Sequence, residues 1–322
     1  MTDTAPTVPS PVSVPVPPAP PPPLSRRPKL RAALRGGWLG LAAGVAVLLA
    51  LVLLGLFVFP PARTNLLLLG LDRRPEEKTA VSRTDTLILT TLDPARGTVG
   101  ALSIPRDLYV TLSDGSQGRI NTAHFFAEAA QAGSGPAAAM AVVRQNFGVD
   151  VHGYVRLDFA GFVRIVDSVG GIDLDVPRPL IDYEYPTADY GVMTVEFEAG
   201  PQHLDGERAL IYARIRHGSS DLQRAERQQL VMRAFLQRLL QPGAWLRAPA
   251  LLAAVRASVA TDVTLVQLIR LAPTLLRGAA AGPDLRVLDG ARVEPYTTPS
   301  GGSVLLPVWA EINPVLLEMF GQ

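Results

Sequence analysis

Tyr212 to Gln228 carries the densest chemistry in the chain: Tyr-Ala-Arg-Ile-Arg-His runs through Gly218-Ser219-Ser220 into Asp-Leu-Gln-Arg-Ala-Glu-Arg-Gln. Arg214 and Arg216 alternate with Ala213 and Ile215, a period of two that predicts a strand with both guanidiniums on one face. Asp221, Arg224, Arg227 and Gln228 then recur at helical spacing, which predicts a helix carrying all four on one face, with Ser220 and Gln223 as a capping box. Arginines gathered from two elements repel one another unless an anion lies between them, and the planar guanidinium fork matches phosphate oxygens. A phosphate-bearing ligand is expected.

Three acidic and basic clusters stand at the ends of predicted strands: Asp72 after 65–71, Arg83 and Asp85 before 86–92, and Arg106-Asp107 after 98–104. Asp93-Pro94-Ala95-Arg96-Gly97 turns the second strand into the third, so Asp85 and Arg106-Asp107 fall at one edge of the sheet; Asp72 joins them if its strand lies alongside. A lone Arg and Asp pair is by default a structural ion pair. Here Arg74, Arg83, Arg106, Arg119, Arg214 and Arg216 outnumber the three aspartates, and positive charge is left over. Asp72 and Asp85 suit Mg²⁺, an ion held by one or two carboxylates together with ligand phosphates. His124, His152, His203 and His217 have no metal-ligand spacing, and there is no nucleophile elbow or P-loop. Asp173 and Asp175 read as a solvated strand face. Phe125, Phe126, Phe159 and Phe162 read as core, a residue set that a lipid channel would share.

The elements that must position these groups alternate. Helices are predicted from about 123, over 137–147 and over 158–169, with a strand at 172–176 and a Pro- and Tyr-rich loop to about 200; interleaved strands and helices define an α/β domain. Ahead of it, residues 1–37 form a Pro-rich and basic tail, and 38–59 are apolar or glycine throughout, long enough for one transmembrane helix. Arg26, Arg27, Lys29, Arg31 and Arg35 precede that run and a lone Arg63 follows it, so the N-terminus is expected in the cytoplasm and the rest outside the cell membrane. The catalytic domain is expected over 64–240, with 241–322 a C-terminal extension of unknown role. A net charge of +1 excludes the global basic field of a nucleic-acid binder, and the absence of cysteine excludes thiolate chemistry.

In order along the chain, Asn65-Leu-Leu-Leu-Leu-Gly-Leu-Asp72, Arg83-Thr-Asp-Thr86, Leu102-Ser-Ile-Pro-Arg-Asp107, Arg119-Ile-Asn121, Gly200-Pro-Gln-His-Leu-Asp-Gly206, Tyr212-Ala-Arg-Ile-Arg216 and Asp221 to Gln228 resemble the LytR-CpsA-Psr family of envelope enzymes. The resemblance implies an α-β-α sandwich around a central mixed sheet, with a channel for a prenyl chain. It implies a phosphotransferase that takes a glycopolymer from a polyprenyl pyrophosphate carrier and joins it through a phosphodiester to a peptidoglycan hydroxyl. By position it makes Asp72 and Asp85 the Mg²⁺-associated aspartates, and Arg83, Arg106, Arg214, Arg216, Arg224 and Arg227, with Gln228, the pyrophosphate-binding set. Arg119 stands where many members have lysine. Asp107 or Asp85 is the expected base. Two other readings stand beside it: a hydrolase of pyrophosphate-linked lipids, which would use the same residues, and a non-catalytic envelope-binding or regulatory protein, for which the metal should not matter.

Overall fold

Four consecutive leucines ending in Gly70-Leu71 and the run Leu87-Ile88-Leu89 build the centre of a sheet whose strands are buried on both faces. The computed structural model describes residues 40, 43–48, 55, 61–72, 84–187, 191–215 and 221–321, the side chains of 221 and 222 excepted. Two units are distinguished, Met1–Gly55 and Leu56–Gln322. Most of the predicted span at 38–59 and all of the tail before it lie outside the described residues. Among the described residues no helix is long and apolar enough to cross a membrane.

In the second unit the order is β1 (Thr64–Leu71), β2 (Thr84–Asp93), β3 (Thr98–Ile104), β4 (Tyr109–Thr111), β5 (Gln117–Arg119), α1 (Ile120–Ala130), α2 (Gly135–Phe147), β6 (Gly153–Asp158) and α3 (Phe159–Ser168). It continues with β7 (Ile172–Val176), β8 (Leu180–Pro186), β9 (Val192–Phe197), β10 (Gly200–Leu204), α4 (Gly206–Arg214) and α5 (Asp221–Leu240). Then come α6 (Pro242–Leu246), α7 (Ala248–Ser258), β11 (Val259–Thr261), α8 (Leu265–Ala281), β12 (Asp284–Val287), β13 (Val293–Thr297), β14 (Ser303–Pro307) and α9 (Trp309–Phe320).

The six-stranded sheet has the order β11-β6-β1-β2-β3-β12. It is mixed: β1 runs parallel to β6 and β3 parallel to β12, while β2 is antiparallel to both its neighbours. Alternation sends Leu67, Leu69, Leu89 and Leu102 to one face, where they meet α1, α2 and α9, and Leu66, Leu92 and Val99 to the other, where they meet Leu271 of α8. Each fully buried leucine contributes about 1.5–3 kcal/mol of transfer free energy. Helices on both faces of a mixed sheet give the α/β architecture expected from the sequence. The segment after 241 supplies both edge strands, β11 and β12, and the core face of α9. Gly278 lets α8 lie close to β3, because a β-carbon there would stand 2.8 Å from the Val99 backbone nitrogen.

One predicted element changes type. The stretch carrying Arg214 is the helix α4, not a strand. The alternation in 211–215 is only five residues long, whereas Ala209, Tyr212 and Ala213, all buried, recur at helical spacing and pack into the core shared by α3, β7–β10 and α5. Asp205 starts the helix by accepting the Arg208 N–H at 2.8 Å. Asp167 of α3 accepts the Gly206 N–H at 2.7 Å and ties the two helices together. A second correction concerns the aromatics: Phe126 is 60% exposed, so the α1 stripe that faces the core runs through Ile120, Ala123 and His124 instead.

Candidate active site

The sheet's register brings the clusters to one edge. Leu71 pairs with Thr84, so Asp72 leaves β1 where Asp85 enters β2, and Leu87 pairs with Ile104, so Arg106-Asp107 leave β3 at the same end. Strand ends of this kind are where α/β folds place their ligands.

Asp85, Arg106, Asp107 and Arg119 form a continuous chain of ion pairs. Arg106 Nη1 donates to Asp85 at 3.0 Å, Arg106 Nε to one Asp107 oxygen at 3.3 Å, and Arg119 Nε lies 3.2 Å from the other. These four side chains and Arg224, Ala225 and Gln228 of α5 line a cavity of about 470 Å³, a volume suited to a small ligand or one end of a larger one. Gln229 fixes α5 over the sheet by donating to Ser103 Oγ at 3.3 Å and to the Arg286 carbonyl. Arg224 is only 8% exposed yet forms part of the cavity wall.

Beside this cavity Arg214, the last residue of α4, lies 3.7 Å from Asp72, donates to the Tyr185 hydroxyl at 3.0 Å and stacks 4.0 Å over the Phe159 ring centroid. Burial raises the Tyr185 pKa above its ordinary value against the opposing pull of Arg214, so the phenol stays protonated at neutral pH. The aromatic face and the hydroxyl hold the guanidinium in one orientation, as a stacked fork requires. Along this edge the guanidiniums of Arg106, Arg119, Arg214 and Arg224 stand with the carboxylates of Asp72, Asp85 and Asp107.

Arg227 goes elsewhere. It turns from the face shared by Arg224 and Gln228, donates to the carbonyl of Tyr212 at 3.2 Å and to that of Ile215, and lines a second cavity of about 410 Å³ with Arg178 and Glu226. It thereby satisfies carbonyls left open at the end of α4, and burial lowers its pKa. Arg83, Arg216, Arg74 and Ser220 lie outside the described residues. The three described histidines serve packing and pairing: His152 accepts the Asn65 N–H at 3.0 Å, His203 meets Asp173 at 2.7 Å, and His124 is buried; His217 lies outside the described residues.

Sequence reasoning missed Tyr185, Phe159 as a platform, and the wall formed by Asp289, Ser303 and Leu305. Tyr185 sits in a loop-like stretch with no period to read, and the wall lies beyond the legible motifs; both come to the site only through tertiary packing.

For Mg²⁺ the test is the donor set. Asp72 and Asp85 offer oxygen ligands at adjoining strand ends with 35% and 18% side-chain exposure, and no group of three or more metal-ligating side chains occurs among the described residues. Two accessible carboxylates completed by ligand phosphates are the arrangement this ion takes, so the residues fit it.

A mixed sheet clothed by helices, with guanidiniums and carboxylates gathered at one edge, defines an α/β protein with a charged candidate site at its strand ends. A family model described as the LytR_cpsA_psr family matches residues 61–284, and the chain belongs to that family. The polyisoprenyl-teichoic acid–peptidoglycan teichoic acid transferase TagV of Bacillus subtilis (strain 168) is 35% identical over 162 residues, 49% of this chain and 39% of that protein. TagU of Oceanobacillus iheyensis, a transferase of the same description, is 31% identical over 206 residues, 63% of this chain and 60% of that protein. The chain thus spans between about two fifths and three fifths of these relatives' length. The crystal structure of B. subtilis TagV superposes with a TM-score of 0.64 at 26% identity, covering 81% of this chain and 98% of that one. TagT bound to LI-WTA shares the fold, with a TM-score of 0.61 at 22% identity over 81% of this chain and 92% of that one.

Proposed function

We propose that this protein is a membrane-anchored transferase that moves a glycopolymer from a polyprenyl pyrophosphate carrier to a peptidoglycan hydroxyl, with the N-terminus in the cytoplasm and the catalytic domain outside. The observation that carries this reading is the cavity at the sheet edge, where Arg106, Arg119 and Arg224 converge beside Asp85 and Asp107. The teichoic acid transferases named above support the choice of glycopolymer and acceptor. The apolar run at 38–59 and the basic residues before it support the anchor.

The reaction is a phosphoryl-type transfer. The acceptor hydroxyl oxygen attacks the phosphorus that carries the glycan, and the bond from that phosphorus to the bridging oxygen breaks. Polyprenyl phosphate leaves with the electron pair. Catalysis of this kind rests on alignment and on neutralising the phosphate oxygens. Arg106 and Arg119, braced by Asp85 and Asp107, present their remaining donors to those oxygens; Arg224 and Gln228 do so from α5. Arg214, held on Phe159 and Tyr185, contributes a further fork beside Asp72. Asp72 and Asp85 would hold Mg²⁺, which when bound supplies positive charge to the phosphates.

The test is to incubate the full chain with a short-chain polyprenyl pyrophosphoryl oligosaccharide, peptidoglycan fragments and Mg²⁺, and to look by mass for the phosphodiester conjugate. Release of free glycan phosphate alone would mark a hydrolase instead. No turnover, with donor binding insensitive to Mg²⁺ and to Asp72→Ala, would mark a binding protein.

A further inference from the structure

The cavity has a second wall, built by the segment that follows β12. Val287 pairs with Ser103 in parallel register, so Asp289 leaves β12 at the edge where Arg106 leaves β3. The hairpin β13–β14 then returns against the site: Leu305 N–H donates to the Asp107 carbonyl at 3.0 Å, and the Ser303 carbonyl accepts from Arg119 at 2.7 Å. Asp289, Val293, Ser303 and Leu305 line the cavity together with Arg224 and Gln228 of α5. This wall lies beyond residue 284, where the family match ends.

The carboxylates differ in what they have left to offer. Asp107 spends one oxygen on Arg106 and the other on Arg119, and Asp85 is paired with Arg106. Asp289 gives one oxygen to Arg292 Nη1 at 3.0 Å, its second oxygen makes no hydrogen bond among the described residues, and its side chain is 34% exposed on the cavity wall. A carboxylate only accepts hydrogen bonds, so it repels a diphosphate and suits the hydroxyl-bearing part of a ligand. The cavity thus joins the guanidiniums of Arg106, Arg119 and Arg224 with a carboxylate, Asp289, that neither pairs with them nor stands among the expected metal ligands.

We propose that the wall from Asp289 to Leu305 is the acceptor-sugar subsite, and that Asp289 binds the attacking hydroxyl and takes its proton. This rests on the transfer reaction described above. As the oxygen-to-phosphorus bond forms, the hydroxyl proton passes to the open oxygen of Asp289, and the electron pair of the broken phosphorus–oxygen bond leaves on polyprenyl phosphate. Arg292 keeps the carboxylate turned to the cavity, and the hairpin's hold on Arg119 couples the acceptor wall to the phosphate side.

The test uses the full chain, a short-chain polyprenyl pyrophosphoryl disaccharide as donor and a soluble disaccharide-peptide fragment of peptidoglycan as acceptor. Asp289→Asn keeps the shape and a hydrogen-bonding group, so donor affinity and acceptor KM are expected within about threefold of the parent while kcat for transfer falls by about 10²–10⁴-fold, the range of a lost general base. Asp289→Ala is expected to raise acceptor KM as well, with donor affinity again unchanged. Transfer by Asp289→Asn within threefold of the parent overturns the proposal and leaves the transferase reading intact. Loss of donor affinity in both variants also overturns it, because Asp289 would then act through the wall's structure. A parent chain that binds donor but makes no conjugate overturns the transferase reading, and the subsite falls with it.

Discussion

Arg106 lies 3.0 Å from Asp85 although 21 positions separate them in sequence, and the same guanidinium reaches Asp107 through its Nε. The antiparallel pairing of β2 with β3 makes that contact, and it places a fork at the sheet edge with both flanks fixed by carboxylates. A guanidinium held this way keeps its donors aimed without reorganising when a phosphate arrives, which is the property that electrostatic catalysis needs.

Arg106→Ala is accordingly expected to lower the transfer rate by about 10²–10³-fold. Arg106→Lys should recover little of it, since one ammonium cannot span two carboxylates and a phosphate. Initial rates with the lipid-linked donor check both; an Arg106→Ala chain running within threefold of the parent would place the chemistry elsewhere.

The orientation of Arg214 depends on two aromatic residues. Tyr185→Phe removes the hydroxyl partner at 3.0 Å and keeps the ring, so donor affinity should fall about fivefold, equivalent to the ~1 kcal/mol of one hydrogen bond. Calorimetric titration of the donor reads this. An unchanged affinity would mean that the stack on Phe159 suffices.

Gly206 opens α4 against α3, and a β-carbon there would stand 2.7 Å from the Val163 Cα and closer still to its carbonyl oxygen. Gly206→Ala must push the two helices apart. Overpacking of this kind costs about 1–3 kcal/mol, and because the obstacle is backbone the upper end is expected, with a loss of activity as Arg214 shifts. Urea unfolding gives the stability change; a midpoint equal to the parent's would contradict the tight approach.

Glu128 of α1, buried beside Arg156, is a carboxylate whose pairing ties stability to pH. Burial pushes its pKa up, but the backbone N–H groups of Gly133 and Gly135 and the Arg156 guanidinium outweigh that and hold it below its ordinary 4.5. A carboxyl depressed in the folded state contributes stability above its unfolded pKa and loses it as pH falls through the folded value. Thermal stability should therefore be level near neutral pH and decline below about 4.5. In Glu128→Gln it should be lower at neutral pH and converge on the parent in acid. Parallel curves at all pH values would exclude the linkage.

The strands β1 to β3 and β7, the helices α2 and α3, and the shared edge of Asp72, Asp85 and Arg106 were legible because each rests on local alternation, helical spacing or a turn. The type of α4 was not, because the five-residue alternation around Arg214 competes with a helical stripe whose weight comes from a distant core. Nor could periodicity show that Arg227 caps α4 while Arg224, three residues earlier, lines the cavity, since the two recur at helical spacing and only tertiary packing separates their partners. Asp289 and the β13–β14 hairpin reach the site through the parallel addition of β12 to β3, a pairing between segments about 180 residues apart that no local pattern encodes.

The central claim is that the guanidiniums gathered at this edge grip a diphosphate. Titrating the full chain, in Mg²⁺ buffer, with a short polyprenyl pyrophosphate, the matching monophosphate and the matching alcohol tests it most directly. The pyrophosphate should bind about tenfold or more tighter than the monophosphate, a difference of ~1.4 kcal/mol, and Arg106→Ala should erase that margin. Equal affinity of the parent for all three lipids, or a margin that survives Arg106→Ala, would contradict it.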